Sequence, residues 1–250
     1  GQDTALVEIK ANGGAPIENK LLYGVIYGLK KDEDGSGLVG ALIGLFHADC
    51  IEFTSETAIL TATSAEDGSF SFARVPYGNW IVREIEAPTG FVLSEKAYPV
   101  TVDADCAVIE VEIENTCIRG TVQLTKTDRD YPDNKLTGAE FTVYRDSNDN
   151  KELDADDERF GTLTETGIGV YEMSDLLYGG YFVKETKAPA GFYLDDNAYY
   201  FEIVEDGKTV TVENEAGKGF VNAPQVGSLK IIKTSSNGKI EGFSFRVTGP

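Results

Sequence analysis

Short runs in which apolar and polar residues alternate recur along this chain. Ile109, Val111 and Ile113 alternate with Glu110, Glu112 and Glu114. Val122 and Leu124 alternate with Thr121 and Gln123, and Tyr181 and Val183 alternate with Phe182 and Lys184. A period of two marks strands that bury one face. The runs are short and stop at glycine, aspartate or proline, and no stretch keeps a helical period. The pattern predicts an all-β chain, and each complete repeat described below holds about seven strands, which reads as an antiparallel β-sandwich.

The runs repeat. Gly24–Asp32 (GVIYGLKKD), Gly120–Asp128 (GTVQLTKTD) and Gly227–Ser235 (GSLKIIKTS) align, and each is followed by a small-residue strand start. Trp80–Phe91 (WIVREIEAPTGF) matches Tyr181–Phe192 (YFVKETKAPAGF), entered through Tyr77-Gly78 and Tyr178-Gly179 respectively. Asn19, Asn115 and Asn222 each lie five residues before the next repeat's glycine. The boundaries follow: 1–23 as the last strands of a preceding unit, 24–119 and 120–226 as complete units, and 227–250 as the opening strands of another. With almost no linker, such units are expected to stack end to end as a semi-rigid rod.

Charge narrows the functions. With 22 basic against 42 acidic residues, the net charge of −20 disfavours nucleic acid or an anionic membrane as partner. No apolar run reaches the length of a membrane span. Cys50, Cys106 and Cys117 all lie in the first half. Cys117 shares parity with Ile113 and reads as a buried free thiol, while a Cys50–Cys106 disulfide stays open. His47 is the only histidine, so a histidine dyad is excluded from the second unit. Asp67-Gly68 and Asp206-Gly207 read as hairpin turns.

Parity also places polar residues inward. Lys30 shares a face with Ile26 and Gly28, and Lys126 with Val122 and Leu124. Glu84 follows Trp80 and Val82, Glu185 follows Tyr181 and Val183, and Asn115 follows Ile113. In the second unit Asn222 follows Phe220, and Asn214, in line with Val210 and Val212, is a rival. One reading is a buried ion pair beside a hydrogen-bonded asparagine. The other is covalent. A desolvated lysine becomes a nucleophilic amine, and a protonated carboxyl can polarise the asparagine amide and carry protons. Loss of ammonia then leaves a Lys–Asn isopeptide bond, formed once per unit and so without turnover.

On the strand lysine ahead of an aspartate, the box YxVxExxAPxGF and the closing asparagine, the units resemble the collagen-adhesin B-type (CnaB, SpaA-like, prealbumin-like) domains of Gram-positive surface proteins and pilins. The resemblance implies Lys30–Asn115 and Lys126–Asn222 crosslinks promoted by Glu84 and Glu185. It implies no cofactor for crosslinking. It also implies a stalk segment outside a bacterial cell, anchored to the wall through a part not in this chain, with adjacent repeats of the same protein as partners. A module that binds a host matrix protein or glycan is the alternative. Lys233 has no matching glutamate in this chain. Tyr131-Pro132-Asp133-Asn134 has Asp133 where the pilin polymerisation motif has lysine. The loop 146–157 (DSNDNKELDADD) resembles a calcium loop, with Asp146, Asn148, Asn150, Glu152, Asp154 and Asp157 as ligands. Lys151 stands where the turn usually has glycine.

Overall fold

The computed structural model describes residues 20–238, 241–242 and 244–248. Among these it is all-β, with no α-helix. The first unit holds β1 (Tyr23–Asp32), β2 (Leu42–His47), β3 (Leu60–Thr63), β4 (Ser69–Pro76), β5 (Gly78–Glu86), β6 (Tyr98–Val102) and β7 (Val108–Asn115). They form two sheets, ordered β4-β1-β7 and β3-β2-β5-β6. Inward residues of both meet in one core: Ile26 on β1 and Ile113 on β7 face Ile43 and Leu45 on β2 and Val82 on β5. The alternation that predicted the strands is the cause, because every second side chain leaves water on the same side.

The second unit repeats the plan with more pieces. It contains β8 (Arg119–Asp128), β9 (Glu140–Arg145), β10 (Glu158–Thr162), β11 (Thr164–Gly167), β12 (Val170–Leu177), β13 (Gly179–Lys187), β14 (Ala198–Ile203), β15 (Thr209–Thr211) and β16 (Phe220–Asn222). One sheet runs β10-β9-β13-β14. The other runs β11-β12-β8-β15, with β16 also pairing β8. Its separate core is aromatic: Phe141 packs edge-on against Tyr171 and Phe220 at 5.1 and 5.0 Å.

Three features depart from the sequence expectation. The sandwiches are mixed rather than wholly antiparallel, because the first strand of each unit runs parallel to the last: β1 with β7, and β8 with β15 and β16. The last strand of the second unit is broken in two by residues 212–219, where β7 of the first is continuous. Residues 227–238, expected to open a further unit, carry no strand; one strand alone has no ladder to join. Asn19 lies outside the described residues.

The cysteines are free thiols, so the open Cys50–Cys106 pairing is not made. Cys106 is exposed at a turn with φ 62°, and Cys50 donates to the Glu52 carbonyl at 2.9 Å. Cys117 is half-buried and not sealed in the core, because β7 has already ended at Asn115; what burial it has still pushes its thiol up.

Gly28 shows how tightly the first core closes around its lysine. A side-chain carbon there would stand 1.9 Å from the Phe70 ring, so the ring lies flat across the position next to Lys30.

Candidate functional site

Parallel pairing of the first and last strands decides where three polar side chains meet. In the first unit Lys30 stands opposite Ile113 and Asp32 opposite Asn115. In the second, Lys126 stands opposite Phe220 and Asp128 opposite Asn222. Lysine and asparagine are therefore two ladder steps apart on one inward face, roughly 7 Å along the strand, within reach of a lysine stem. Glutamate arrives from the facing sheet, Glu84 on β5 opposite Ile43 and Glu185 on β13 opposite Phe141.

All six side chains are sealed from water: Lys30, Lys126 and Glu185 are 0 % exposed, Glu84 1 %, Asn115 2 % and Asn222 3 %. In the first unit Glu84 Oε1 lies 3.4 Å from Lys30 Nζ and accepts from Asn115 Nδ2 at 2.9 Å. In the second, Glu185 Oε1 lies 3.4 Å from Lys126 Nζ, and Asn222 Nδ2 donates to both Glu185 oxygens at 2.9 Å. One carboxylate oxygen thus touches both the lysine nitrogen and the amide nitrogen. The outer oxygen is fixed by a backbone amide ten residues on, Ser94 N at 2.8 Å and Asp195 N at 2.9 Å. The lysines also donate to the carbonyls opposite them, Ile113 O at 3.5 Å and Phe220 O at 3.1 Å.

Burial pushes the Lys126 amine down to about 8, against the pull of Glu185, which favours the ammonium. Lys30 is lowered for the same reason and against the same opposition from Glu84. Asn115 Oδ1 and Asn222 Oδ1 are buried without a hydrogen-bond partner. That is costly in a packed core, and it falls on the equivalent atom of both units. The asparagine carbonyl, which a protonated carboxyl would have to reach to polarise the amide, is turned away, and the amide nitrogen faces the glutamate.

Asn214, the rival acceptor, is engaged elsewhere. Its Nδ2 donates to Asp195 Oδ2 at 2.8 Å and Val221 O at 2.9 Å, and its Oδ1 accepts from Val221 N at 2.6 Å. Asp195 also accepts from Tyr199 Oη at 2.7 Å. This brace around β16 was invisible to strand parity. The signal that could have found it is the surplus asparagine itself, just after β15.

The loop 146–157 folds on its own backbone. Asp146 is buried, and its two oxygens accept from the amides of Asn150 and Lys151, both at 3.2 Å. Asp157 accepts from Ser147 and Asp154 amides, each at 3.0 Å, and Asn150 Oδ1 from the Glu152 amide at 2.7 Å. Asn148 and Asn150 side chains both donate to Asp154 Oδ2, at 3.4 and 2.8 Å. Lys151 takes φ 60° in place of the expected glycine, and its amine reaches Glu202 at 2.8 Å. Among the described residues no three acidic, histidine or cysteine side chains converge as a metal site. The calcium expectation gains no support from this packing. His47 stacks on Trp80 at 4.9 Å and takes no part in the site.

The family model described as SpaA, prealbumin-like fold domain, matches residues 24–117 and again 120–217. The chain belongs to this family, as two consecutive copies. No curated protein matches it. Among solved structures it is similar to the Bacillus anthracis TIE protein, at 25 % identity and a TM-score of 0.65 over 81 % of this chain and 34 % of that one. A streptococcal ancillary pilin matches at 20 % identity and TM-score 0.38, over 82 % of this chain and 63 % of that one. GBS52, the minor pilin of Streptococcus agalactiae, matches at 20 % and 0.33, over 84 % of this chain and 100 % of that one. The chain thus spans only about a third of the TIE protein. No helix among the described residues is long and apolar enough to cross a membrane.

Proposed function

We propose that this chain is a stalk segment of a Gram-positive cell-surface adhesin or pilin-like protein, hardened by isopeptide bonds Lys30–Asn115 and Lys126–Asn222 that it makes by itself. The observation that carries the reading is the shared glutamate oxygen. In both units it sits between the nitrogen that would attack and the nitrogen that would leave, in a site closed to water.

The chemistry needs nothing else. The lysine ammonium passes a proton to the glutamate, leaving a neutral amine and a carboxylic acid. Once protonated, the glutamate can donate, and a half-turn of the amide offers it the orphaned Oδ1, which makes Cγ more electrophilic. Lysine Nζ attacks Cγ, the new C–N bond forms, and the Cγ–Nδ2 bond breaks. The glutamate relays a second proton from the attacking nitrogen to the departing one and gives up the first as well, so that ammonia and a proton leave together as ammonium. Holding amine and amide together in a dry core supplies much of the acceleration. The glutamate ends as it began, but lysine and asparagine are consumed, so each unit reacts once.

Intact mass tests this. Each bond removes one ammonia, about 17 Da, so the folded chain should weigh about 34 Da less than its sequence. Digestion should yield two branched peptides, joining Lys30 to Asn115 and Lys126 to Asn222. A full-mass chain that is folded by circular dichroism would sink the proposal.

A further inference from the structure

The covalent chemistry leaves two repeated motifs without a role: the Tyr-Gly turn ahead of each glutamate strand and the Ala-Pro-x-Gly turn behind it. At the junction of the two units they touch. Ile118 in the connecting segment donates its amide to Gly90 O of the first unit at 2.9 Å and accepts from the Tyr178 amide of the second at 3.0 Å. The Tyr178 ring lies on Gly90, where an added side-chain carbon would sit 3.4 Å from it, and Gly90 holds φ +87°. Glu33 closes the joint. It accepts from the Cys117 amide at 3.0 Å and pairs with the Arg119 guanidinium at 2.6 Å. Arg119 holds the Glu33 carboxyl below the usual carboxylate range. The far side of Arg119 is tied to the second unit, its amide to Asp206 Oδ1 at 3.0 Å and its carbonyl to the Gly207 amide at 2.7 Å.

The same backbone pattern recurs at both other ends. Gln225 donates to Gly191 O at 2.7 Å and Tyr193 to Ala223 O at 2.9 Å, as Ile118 does to Gly90 and Val92 to Thr116. The Tyr77 amide donates to Leu22 O at 3.0 Å, as that of Tyr178 does to Ile118. Only the ring is different. Among the described residues nothing comes within 4 Å of the side-chain position on Gly191, and Tyr77 is 62 % exposed, whereas Tyr178 is half-buried on its glycine.

We propose that the two turns are the socket and knob of a head-to-tail joint. Each Ala-Pro-x-Gly turn seats the tyrosine of the next unit in the same polypeptide, so that neighbouring units move as one body. The Gly191 socket takes the Tyr-Gly turn of the unit whose opening residues 227–235 repeat, and Tyr77 is the knob for a preceding socket. The Glu33–Arg119 lock is particular to the first joint, because Arg129 and Val226 stand in the corresponding places. The joint does not depend on the crosslinks.

Residual dipolar couplings and amide relaxation on the full chain test the joint. The two units of the natural chain should share one alignment tensor and one tumbling time. The double variant Glu33→Gln/Tyr178→Ser should give each unit its own tensor and a shorter tumbling time, with core amide shifts unchanged. The milder Arg119→Gln should fall between them. Separate tensors in the natural chain, or a shared one in the double variant, would overturn the joint. Light scattering checks the occupant. Mass that stays monomeric with concentration supports the same-chain assignment, and association abolished by Tyr77→Ser would overturn it in favour of a second copy. A Glu84→Gln/Glu185→Gln chain, read by intact mass, keeps the joint's failure distinct from that of the crosslinks.

Discussion

A lysine with no water around it is a different reagent from one on the surface, and the packing of Lys126 makes it so. Each glutamate serves only the lysine of its own sandwich, so Glu185→Gln should leave a chain lighter by about 17 Da rather than about 34 Da, with only the Lys30–Asn115 peptide branched. Loss of both bonds, or of neither, would show that the carboxyl is not the relay. A pH effect follows where no bond can form, as in Asn222→Ala. The folded amine near 8 binds its proton less tightly than the unfolded one at 10.5. Between those values the unfolded chain holds more protons, so stability rises with pH, by up to about 3 kcal/mol across the window. Urea unfolding at pH 8 and 9.5 reads this before the tyrosines titrate. Tyr199, pushed up to about 12 by its own burial and by the hydrogen bond to Asp195, works in the opposite sense only above pH 10. Stability that is flat or falling between pH 8 and 9.5 would contradict the buried amine. These residues were legible in the sequence because a strand has period two: one inward valine fixes the direction of a glutamate two places on. The partner of the amide was not legible, because parity gives a face and says nothing of which end of an asparagine meets an acid.

At the scale of elements, the last strand sets the two units apart. In the first it runs unbroken from Val108 to Asn115. In the second the acceptor sits on a three-residue strand, Phe220–Asn222, pinned by Asn214 to the backbone of Val221. Asn214→Ala should therefore act on the neighbouring asparagine without touching the lysine. It removes acceptor and donor from the N–H and C=O of one buried residue, Val221, costs about 1–3 kcal/mol in urea unfolding, and lowers the yield of the Lys126–Asn222 peptide but not of Lys30–Asn115. An unchanged yield would mean that β8 alone holds β16. The loop between β9 and β10 gives a parallel case. Asp146→Ala takes the side-chain acceptor from the Lys151 amide and one of two from the Asn150 amide, which keeps Asn148 Oδ1, and should cost about 1 kcal/mol with a chelator present. A melting point that rises on adding about 1 mM calcium to the natural chain would restore the ion to the loop. The recurrence of the strands was readable from the repeat, but their order in the sheets and the parallel pairing of first with last were not. The break in the last strand was not, because Val210 and Val212 alternate as well as Val111 and Ile113 do, and only packing shows where pairing stops.

For the whole molecule, what matters is the path that tension takes. Force entering a unit along the first strand leaves along the last, and these are parallel neighbours, so their ladder is loaded in shear with many hydrogen bonds sharing it. A bond from Lys30 to Asn115 shortens that path. Tension would run from Tyr23 along β1 to Lys30, cross to Asn115 and leave through the clamped segment at Ile118, bypassing everything between. The bypassed chain could not be extended at any force below that which breaks a covalent bond. Single-molecule pulling on the natural chain should therefore show no unfolding step from either unit. In Glu84→Gln the first unit should open and release roughly 85 residues, about 290 Å of extended chain, while the second stays silent. Glu185→Gln should do the reverse, with a somewhat longer step from the residues between Lys126 and Asn222. Steps of full length in the natural chain would mean that the sandwiches resist by hydrogen bonds alone. Steps in both units of a single variant would mean that the two crosslinks are not independent.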